Sequence, residues 1–213
     1  MQTVAVVCQD GLGPSSQRLI SKYFAQRAAG EQGAALGAAV SLSLRAHTGP
    51  VYGERLLESS RSSCGIPTVA DFFSESLGKE LLAEYGPAHL ITSHNACAHI
   101  DDLVDLMRGV RHWLADDGLF IFEVGYLLDV YSNTWFDTMY HEHLDYHSVK
   151  PLVPFFESID MELFSVKKVS PQGGSIRLHV QKKGGPHSTD PSVKELIRLE
   201  EDIGLDKAET FRA

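Results

Sequence analysis

Paired cysteines are missing from this chain. Its 213 residues hold only Cys8, Cys64 and Cys97, too few and too scattered for a disulfide framework or a cysteine zinc knuckle. That usage fits a reducing, cytoplasmic setting. Long apolar runs are missing too. No stretch approaches the roughly 20 residues a spanning helix needs, and the apolar residues 1–8 have neither the length nor the basic leader of a secretory signal, so no membrane partner is expected. Basic charge is in short supply: 19 Lys and Arg against 28 Asp and Glu leave a formal net charge of −9. That balance argues against nucleic acid as a partner, because phosphates demand a positive surface. No internal repeat is visible, which removes solenoids and propellers.

What is present is ordinary globular composition, 43% hydrophobic and 22% charged. The length suits one domain, or one domain with an appendage. The texture is uneven. Residues 1–63 carry four acids and six bases, whereas residues 64–213 hold the remaining acidic excess and nine of the ten histidines. Nine of the twelve residues 28–39 are Ala or Gly. Gly30, Gly33 and Gly37 make that run a poor helix, each costing about 1 kcal/mol against Ala. A boundary is therefore expected near Cys64, between an uncertain N-terminal segment (1–63) and an α/β domain (64–213).

From Cys64 onward the elements alternate. Residues 65–69 read as a short buried strand. Residues 74–85 read as a helix with Ser74 as N-cap and Gly86-Pro87 as stop. Residues 88–93 form a strand. A second helix opens at Asp101, with Leu103, Leu106, Met107, Val110, Trp113 and Leu114 on one face. Asp116-Asp117-Gly118 reads as a turn. Residues 119–124 follow as an almost wholly apolar strand, the pattern of a strand covered on both faces. This alternation predicts parallel strands with right-handed crossovers. A helix over 149–159, an antiparallel strand pair at 161–169 and 175–181, and a helix beginning at Pro191 complete the pattern. A parallel sheet closed by an antiparallel pair matches the class I methyltransferase architecture, a Rossmann-like α/β fold.

Chemistry concentrates in three places. The first is Phe136-Asp137-Thr138-Met139-Tyr140-His141-Glu142-His143, with Tyr146 and His147 just beyond. Imidazoles titrate near neutrality and can move protons at working pH. A neighbouring carboxylate orients such a ring, and a tyrosine hydroxyl can hold a carbonyl that is becoming an enolate. The competing readings are a polar surface loop, against which the apolar Trp135 and Phe136 argue, and a metal site. His141-x-His143 has chelating spacing, but zinc needs three or four ligands and no cysteine pair lies near, so no metal is expected. The second place is Asn95-Ala96-Cys97-Ala98-His99, directly after a parallel strand and so at the carboxyl edge where open α/β sheets bind ligands. A turn-capping Asn95 and a structural His99 are the plain alternative. The third is Gln172-Gly173-Gly174-Ser175-Ile176-Arg177, where paired glycines admit close backbone approach and Arg177 can meet an anion. A simple hairpin turn with an exposed arginine is its alternative.

Taken together, these segments and Gly65-Ile66-Pro67-Thr68-Val69 followed by Asp71-Phe72-Phe73 resemble the SAM-dependent sugar C-methyltransferases. These enzymes methylate a carbon of a nucleotide-linked 4-keto-6-deoxysugar. The Phe-Asp-Thr-x-Tyr-His-Glu-His run is the most specific part, and the resemblance covers about residues 64–210. It implies S-adenosyl-L-methionine as cofactor and a nucleotide-linked sugar as substrate. It implies His143 as base, Tyr140 on the ketone or enolate oxygen, Glu142 on the sugar or the base, and His99 assisting from the facing loop. It places Asn95 close to SAM, Phe72 or Phe73 against the adenine, and His141 and Arg177 on the substrate.

The chain also departs from that family. Members are longer, begin with a cysteine-rich zinc-binding segment and end with a second α/β domain. A fragment, incomplete in its N-terminal half and without the zinc segment, is therefore the expectation. Residues 4–11 faintly echo the strand and acidic loop that open a SAM site, but nothing in 40–53 supplies the carboxylate that takes the ribose hydroxyls. Gln172 stands where sugar-methylating members often have His. Residues 1–63 fit a diverged first half of the fold or a foreign stretch, the latter favoured by the Ala/Gly run and charge switch. The whole also fits a non-catalytic ligand-binding paralogue that keeps only the sugar-side residues. Weak or absent SAM binding is the expectation for this chain.

Overall fold

The computed structural model describes residues 2–8, 36–43, 68–69, 72–140, 143–170 and 174–212, the first two segments as backbone strands. The strands are β1 (Gln2–Cys8), β2 (Leu36–Ser43), β3 (Thr68–Val69), β4 (Ala88–His94), β5 (Leu114–Gly125), β6 (Met161–Val169) and β7 (Ser175–Lys182). They form one sheet in the order β3-β2-β1-β4-β5-β7-β6. The first five pair in parallel, and β7 runs antiparallel between β5 and β6. Strands from both sides of Cys64 thus share one sheet, with Cys8 of β1 opposite His94 of β4. This pairing covers an edge of β4 that would otherwise present an open row of backbone donors and acceptors. The end of the Ala/Gly run enters β2, because backbone pairing needs no side-chain bulk.

Among the described residues the main helices are α1 (Glu75–Tyr85), α2 (Leu103–Trp113), α3 (Leu127–Asn133), α4 (Val149–Ser158) and α5 (Pro191–Ile203). None is long and apolar enough to cross a membrane. Ser74 caps α1 as its sequence position predicts, its Oγ accepting from Leu77 N at 3.1 Å. Asp102 rather than Asp101 caps α2, accepting from Asp105 N at 2.9 Å. The predicted apolar face of α2 is buried at Leu106, Met107, Val110 and Trp113. α1 and α2 approach so closely that a methyl on Gly78 would overlap the Gly109 backbone, and one on Gly109 the Ser74 carbonyl.

The turn expected at residues 116–118 is instead an excursion within β5. Ala88 pairs with Leu114 but Leu90 pairs with Leu119, so the extra β5 residues bulge out. Asp116 and Asp117 stay in solvent, where Lys182 meets Asp116 at 2.9 Å. Beyond the bulge, Phe120, Phe122 and Val124 share the core with Ile176, Leu178, Val180 and Phe156. The alternate positions Ile121 and Glu123 face the other way beside His179 and Arg177, their cross-strand partners.

One buried carboxylate ties the carboxyl side of this sheet together. Glu200 of α5 is 2% exposed. It accepts from Tyr126 Oη at 2.9 Å, Val149 N at 2.7 Å and Lys150 N at 2.9 Å. The amides are the first of α4, whose Ser148 cap makes no side-chain bond, so Glu200 supplies the acceptor and negative charge that a helix start favours. The same carboxylate and burial raise the Tyr126 hydroxyl far above its usual range, burial most. Glu200→Ala removes three bonds to a charged acceptor. It is expected to cost about 3 kcal/mol or more of unfolding free energy in a urea titration; a loss below ~1 kcal/mol would contradict the assignment.

His147 closes the same region. It bridges Tyr126, and its carbonyl accepts from Leu127 N at 2.9 Å. The ring is 5% exposed, lies edge-on to Phe122 at 5.5 Å, and its Nε2 is buried without a hydrogen-bond partner. Burial pulls it from 6.5 down to about 4, and burial does the same chiefly for His179, also to about 4. The unfolded chain therefore binds these protons more readily than the folded chain. Their contribution to stability is complete above pH 6.5 and is lost as pH falls toward 4. Chemical unfolding at pH 7 and 4.5 should show His147 alone contributing a loss of about 2–3 kcal/mol. His147→Gln should leave a smaller slope carried by His179; an unchanged slope would show that His147 is not held neutral.

Candidate functional site

The carboxyl edge of β4 and β5 leads into two loops that meet. After β4 the chain enters Asn95 in a left-handed conformation (φ 51°), its amide donating to the Glu123 carbonyl at 2.9 Å. A short 3-10 turn, Cys97–His99, follows. After β5 come Tyr126, α3, a second 3-10 turn at Phe136–Thr138 and the histidine-bearing segment. Two backbone bonds pin that segment to the first loop: Leu144 N and Asp145 N both donate to the Ala98 carbonyl, at 2.8 and 3.3 Å. His143 and His99, distant in sequence, thereby meet with ring centroids 4.8 Å apart and a tilt of 56°.

The His143 ring is held at both nitrogens. Nδ1 lies 2.8 Å from the Thr138 carbonyl. A carbonyl only accepts, so Nδ1 carries the proton and Nε2 keeps a lone pair in the neutral ring. Tyr140 Oη lies 3.1 Å from Nε2, with ring centroids 4.3 Å apart. Tyr146 stands edge-on at 6.2 Å, and its hydroxyl donates to the same Thr138 carbonyl at 3.0 Å. Thr138 Oγ1 bonds back to the Trp135 carbonyl at 2.8 Å, which steadies the turn.

His143 opens onto a cavity of about 60 Å³ shared with Asn95, Ala98, Gly125, Tyr146 and Gly174. Asn95 Oδ1 is buried there without a hydrogen-bond partner. Asp145 also lines this cavity, and desolvation, then the nearby Asp101 charge, hold its carboxyl above the ordinary range. A second, larger cavity of about 530 Å³ runs along α3 and is lined by Tyr131, Trp135, Phe136, Met139 and Phe211. Phe136 is 69% exposed. The burial expected of it does not occur, because the short turn projects it away from the sheet.

Other expected site residues lie elsewhere. Phe73 is 4% exposed and packs on Trp113 at 6.2 Å inside the core, so its ring has no free face for an adenine; Phe72 is the exposed member of the pair. Arg177, expected on the substrate, is paired with a carboxylate. Its Nε and an Nη both reach Glu123 Oε2, at 2.7 and 2.6 Å, across the β5–β7 pairing. Burial pushes the Glu123 carboxyl up, but His94 at 3.6 Å and the Arg177 guanidinium outweigh it, and the net shift is downward. His141, Glu142 and Gln172 lie outside the described residues, as do most of the segments expected to open a SAM site. The Thr138 carbonyl carries no sequence signal, since every residue has a carbonyl. Tyr146 was legible only as a neighbour of the histidine run.

No family model matches the chain. It is 33% identical over 148 residues to C-methyltransferase NovU of Streptomyces niveus; the match takes in 70% of this chain and 35% of that protein. The chain therefore spans about a third of that relative. Among solved structures it is similar to a SAM-dependent methyltransferase from Anabaena variabilis (TM-score 0.55, 13% identity, 85% of this chain and 77% of that one). It is also similar to LepI in complex with SAM (TM-score 0.54, 10% identity, 85% and 43%). A structure described as a pericyclic reaction enzyme shares the architecture at TM-score 0.52 and 11% identity, over 85% and 43%, so the fold alone does not name a reaction. The chain has the class I SAM-dependent methyltransferase fold and is homologous to C-methyltransferase NovU.

Proposed function

We propose that this chain is the catalytic core of a SAM-dependent C-methyltransferase that acts on a nucleotide-activated keto-deoxysugar by removing a proton from the carbon beside the ketone. The observation that carries the reading is the His143 ring, fixed with Nδ1–H on the Thr138 carbonyl and Nε2 turned to Tyr140 beside a cavity at the sheet's carboxyl edge. The 33% identity to a C-methyltransferase supports it.

A carbon acid next to a ketone needs two things from a protein. It needs a base near neutrality, and it needs a donor for the oxygen on which the enolate charge accumulates. His143 Nε2 is the base in this reading. Tyr140 Oη, now on Nε2, turns to the ketone oxygen when substrate enters, which exposes the lone pair and stabilises the enolate. His99, in ring contact with His143, steadies the protonated imidazole. Glu142 holds the sugar or the base, His141 contacts the substrate, and Phe72 is the remaining candidate for the adenine. The described residues fit the cofactor at one point: Asn95 Oδ1 is a buried acceptor without a donor, and the ammonium and ribose hydroxyls of SAM are donors. Gly125 leaves that wall open, since a Cβ there would meet nothing within 4 Å. SAM, when bound, supplies an electrophilic methyl group for the carbanion carbon.

Deuterium wash-in at the α carbon of a nucleotide-linked 4-keto-6-deoxysugar tests the base without any cofactor. The chain is expected to catalyse that exchange, and His143→Gln to slow it by about 10²–10⁴-fold. Exchange that is absent, or that survives in His143→Gln, would sink the proposal. Transfer of label from methyl-labelled SAM to the same sugar tests the second half. Substrate binding without either reaction would favour the non-catalytic module instead.

A further inference from the structure

The two tyrosines flanking His143 are not equivalent. Tyr140 reaches Nε2, the nitrogen that faces the chemistry, whereas Tyr146 reaches the carbonyl that holds Nδ1. A phenol hydroxyl can donate or accept, so Tyr140 is compatible with either neutral form of the ring. A carbonyl can only accept. The Thr138 oxygen is therefore what selects the Nδ1–H form, and whatever aims that oxygen governs where the lone pair of His143 lies.

We propose that Tyr146 is a positioning residue for His143: its hydroxyl occupies the second lone pair of the Thr138 carbonyl and keeps that peptide aimed at Nδ1. The inference rests on the reading of His143 as the base, and it deepens that reading by naming what sets its protonated nitrogen. Three features support it. The Nδ1 and Tyr146 bonds converge on one oxygen at 2.8 and 3.0 Å. Both donors come from one short stretch, and that stretch is anchored to Ala98 through Leu144 N and Asp145 N. The far end of that peptide, Met139 N, donates to the Phe136 carbonyl at 3.0 Å, so the turn sets the peptide plane while Tyr146 holds its oxygen. Its ring also walls the cavity into which His143 opens.

The test uses the full chain with ¹⁵N-labelled histidine and long-range proton–nitrogen correlation spectra, which read the protonated nitrogen directly and need no turnover. In the unaltered chain His143 should carry its proton on Nδ1 with Nε2 bare. Tyr146→Phe removes one oxygen from a side chain that is 38% exposed, and the fold should survive. The Nδ1–H population should then fall by about half or more, toward the mixture of an unrestrained imidazole. Tyr140→Phe should leave the Nδ1–H form in place. A proton on Nε2 in the unaltered chain would overturn the inference. So would an unchanged Nδ1–H population in Tyr146→Phe, or a shift produced by Tyr140→Phe alone. Because the spectra are recorded without substrate, failure of the exchange reaction would count against the proposed activity and not against this assignment.

Discussion

The candidate site depends on a clamp made by one buried carboxylate. Everything between Tyr126 and Val149 is an excursion from the sheet: α3, the Phe136–Thr138 turn and the histidine segment. Glu200 holds both ends of that excursion, bonding the Tyr126 hydroxyl on one side and the first amides of α4 on the other. The Tyr126–His147 bridge lies between these anchors. A long loop closed at its base gives up less order elsewhere, because its ends no longer explore relative positions. The cost of the device is a charge removed from water. That is tolerable because three donors surround it and the start of a helix faces it.

Within the clamp, backbone groups do most of the positioning. The Ala98 carbonyl accepts two amides from the histidine segment, and the Thr138 carbonyl accepts from a histidine and a tyrosine. Such contacts survive changes of side chain at the residues that supply the oxygen. They also hold geometry more tightly than long side chains, since a peptide group has few soft torsions. The outcome is a pair of imidazoles in contact, at a sheet edge where α/β folds bind their ligands.

The opposite face of the same strands carries a different kind of polar group. Glu123, Arg177 and His94 form a buried cluster that joins β4, β5 and the antiparallel β7. Arg177 looks in sequence like an anion-binding arginine after a glycine pair. Strand pairing directs it instead onto a carboxylate that would otherwise be buried and uncompensated. Lys168 plays a comparable part at the surface, meeting Asp129 of α3 at 2.6 Å.

The chain's order of elements from residue 74 onward was determined by local sequence. Ser74 and Gly86 bracket α1, the spaced apolar residues bury one face of α2, and the apolar run at 119–124 forms a central strand. Such signals are local: caps, periodicity and turn residues act over a few positions. The histidine–tyrosine run was legible as chemistry for the same reason. Tertiary structure alone decided the rest. It put residues 2–8 and 36–43 into the same sheet, where an Ala/Gly-rich stretch has no periodicity to announce it. It drew Asp116 and Asp117 into a bulge, buried Phe73 while leaving Phe72 outside, and paired Arg177 with Glu123. It also joined His99 to His143 and chose a backbone carbonyl as the partner of Nδ1. These outcomes follow from which strands lie side by side and which lone pair lies within reach, and neither is encoded in the spacing of residues along the chain.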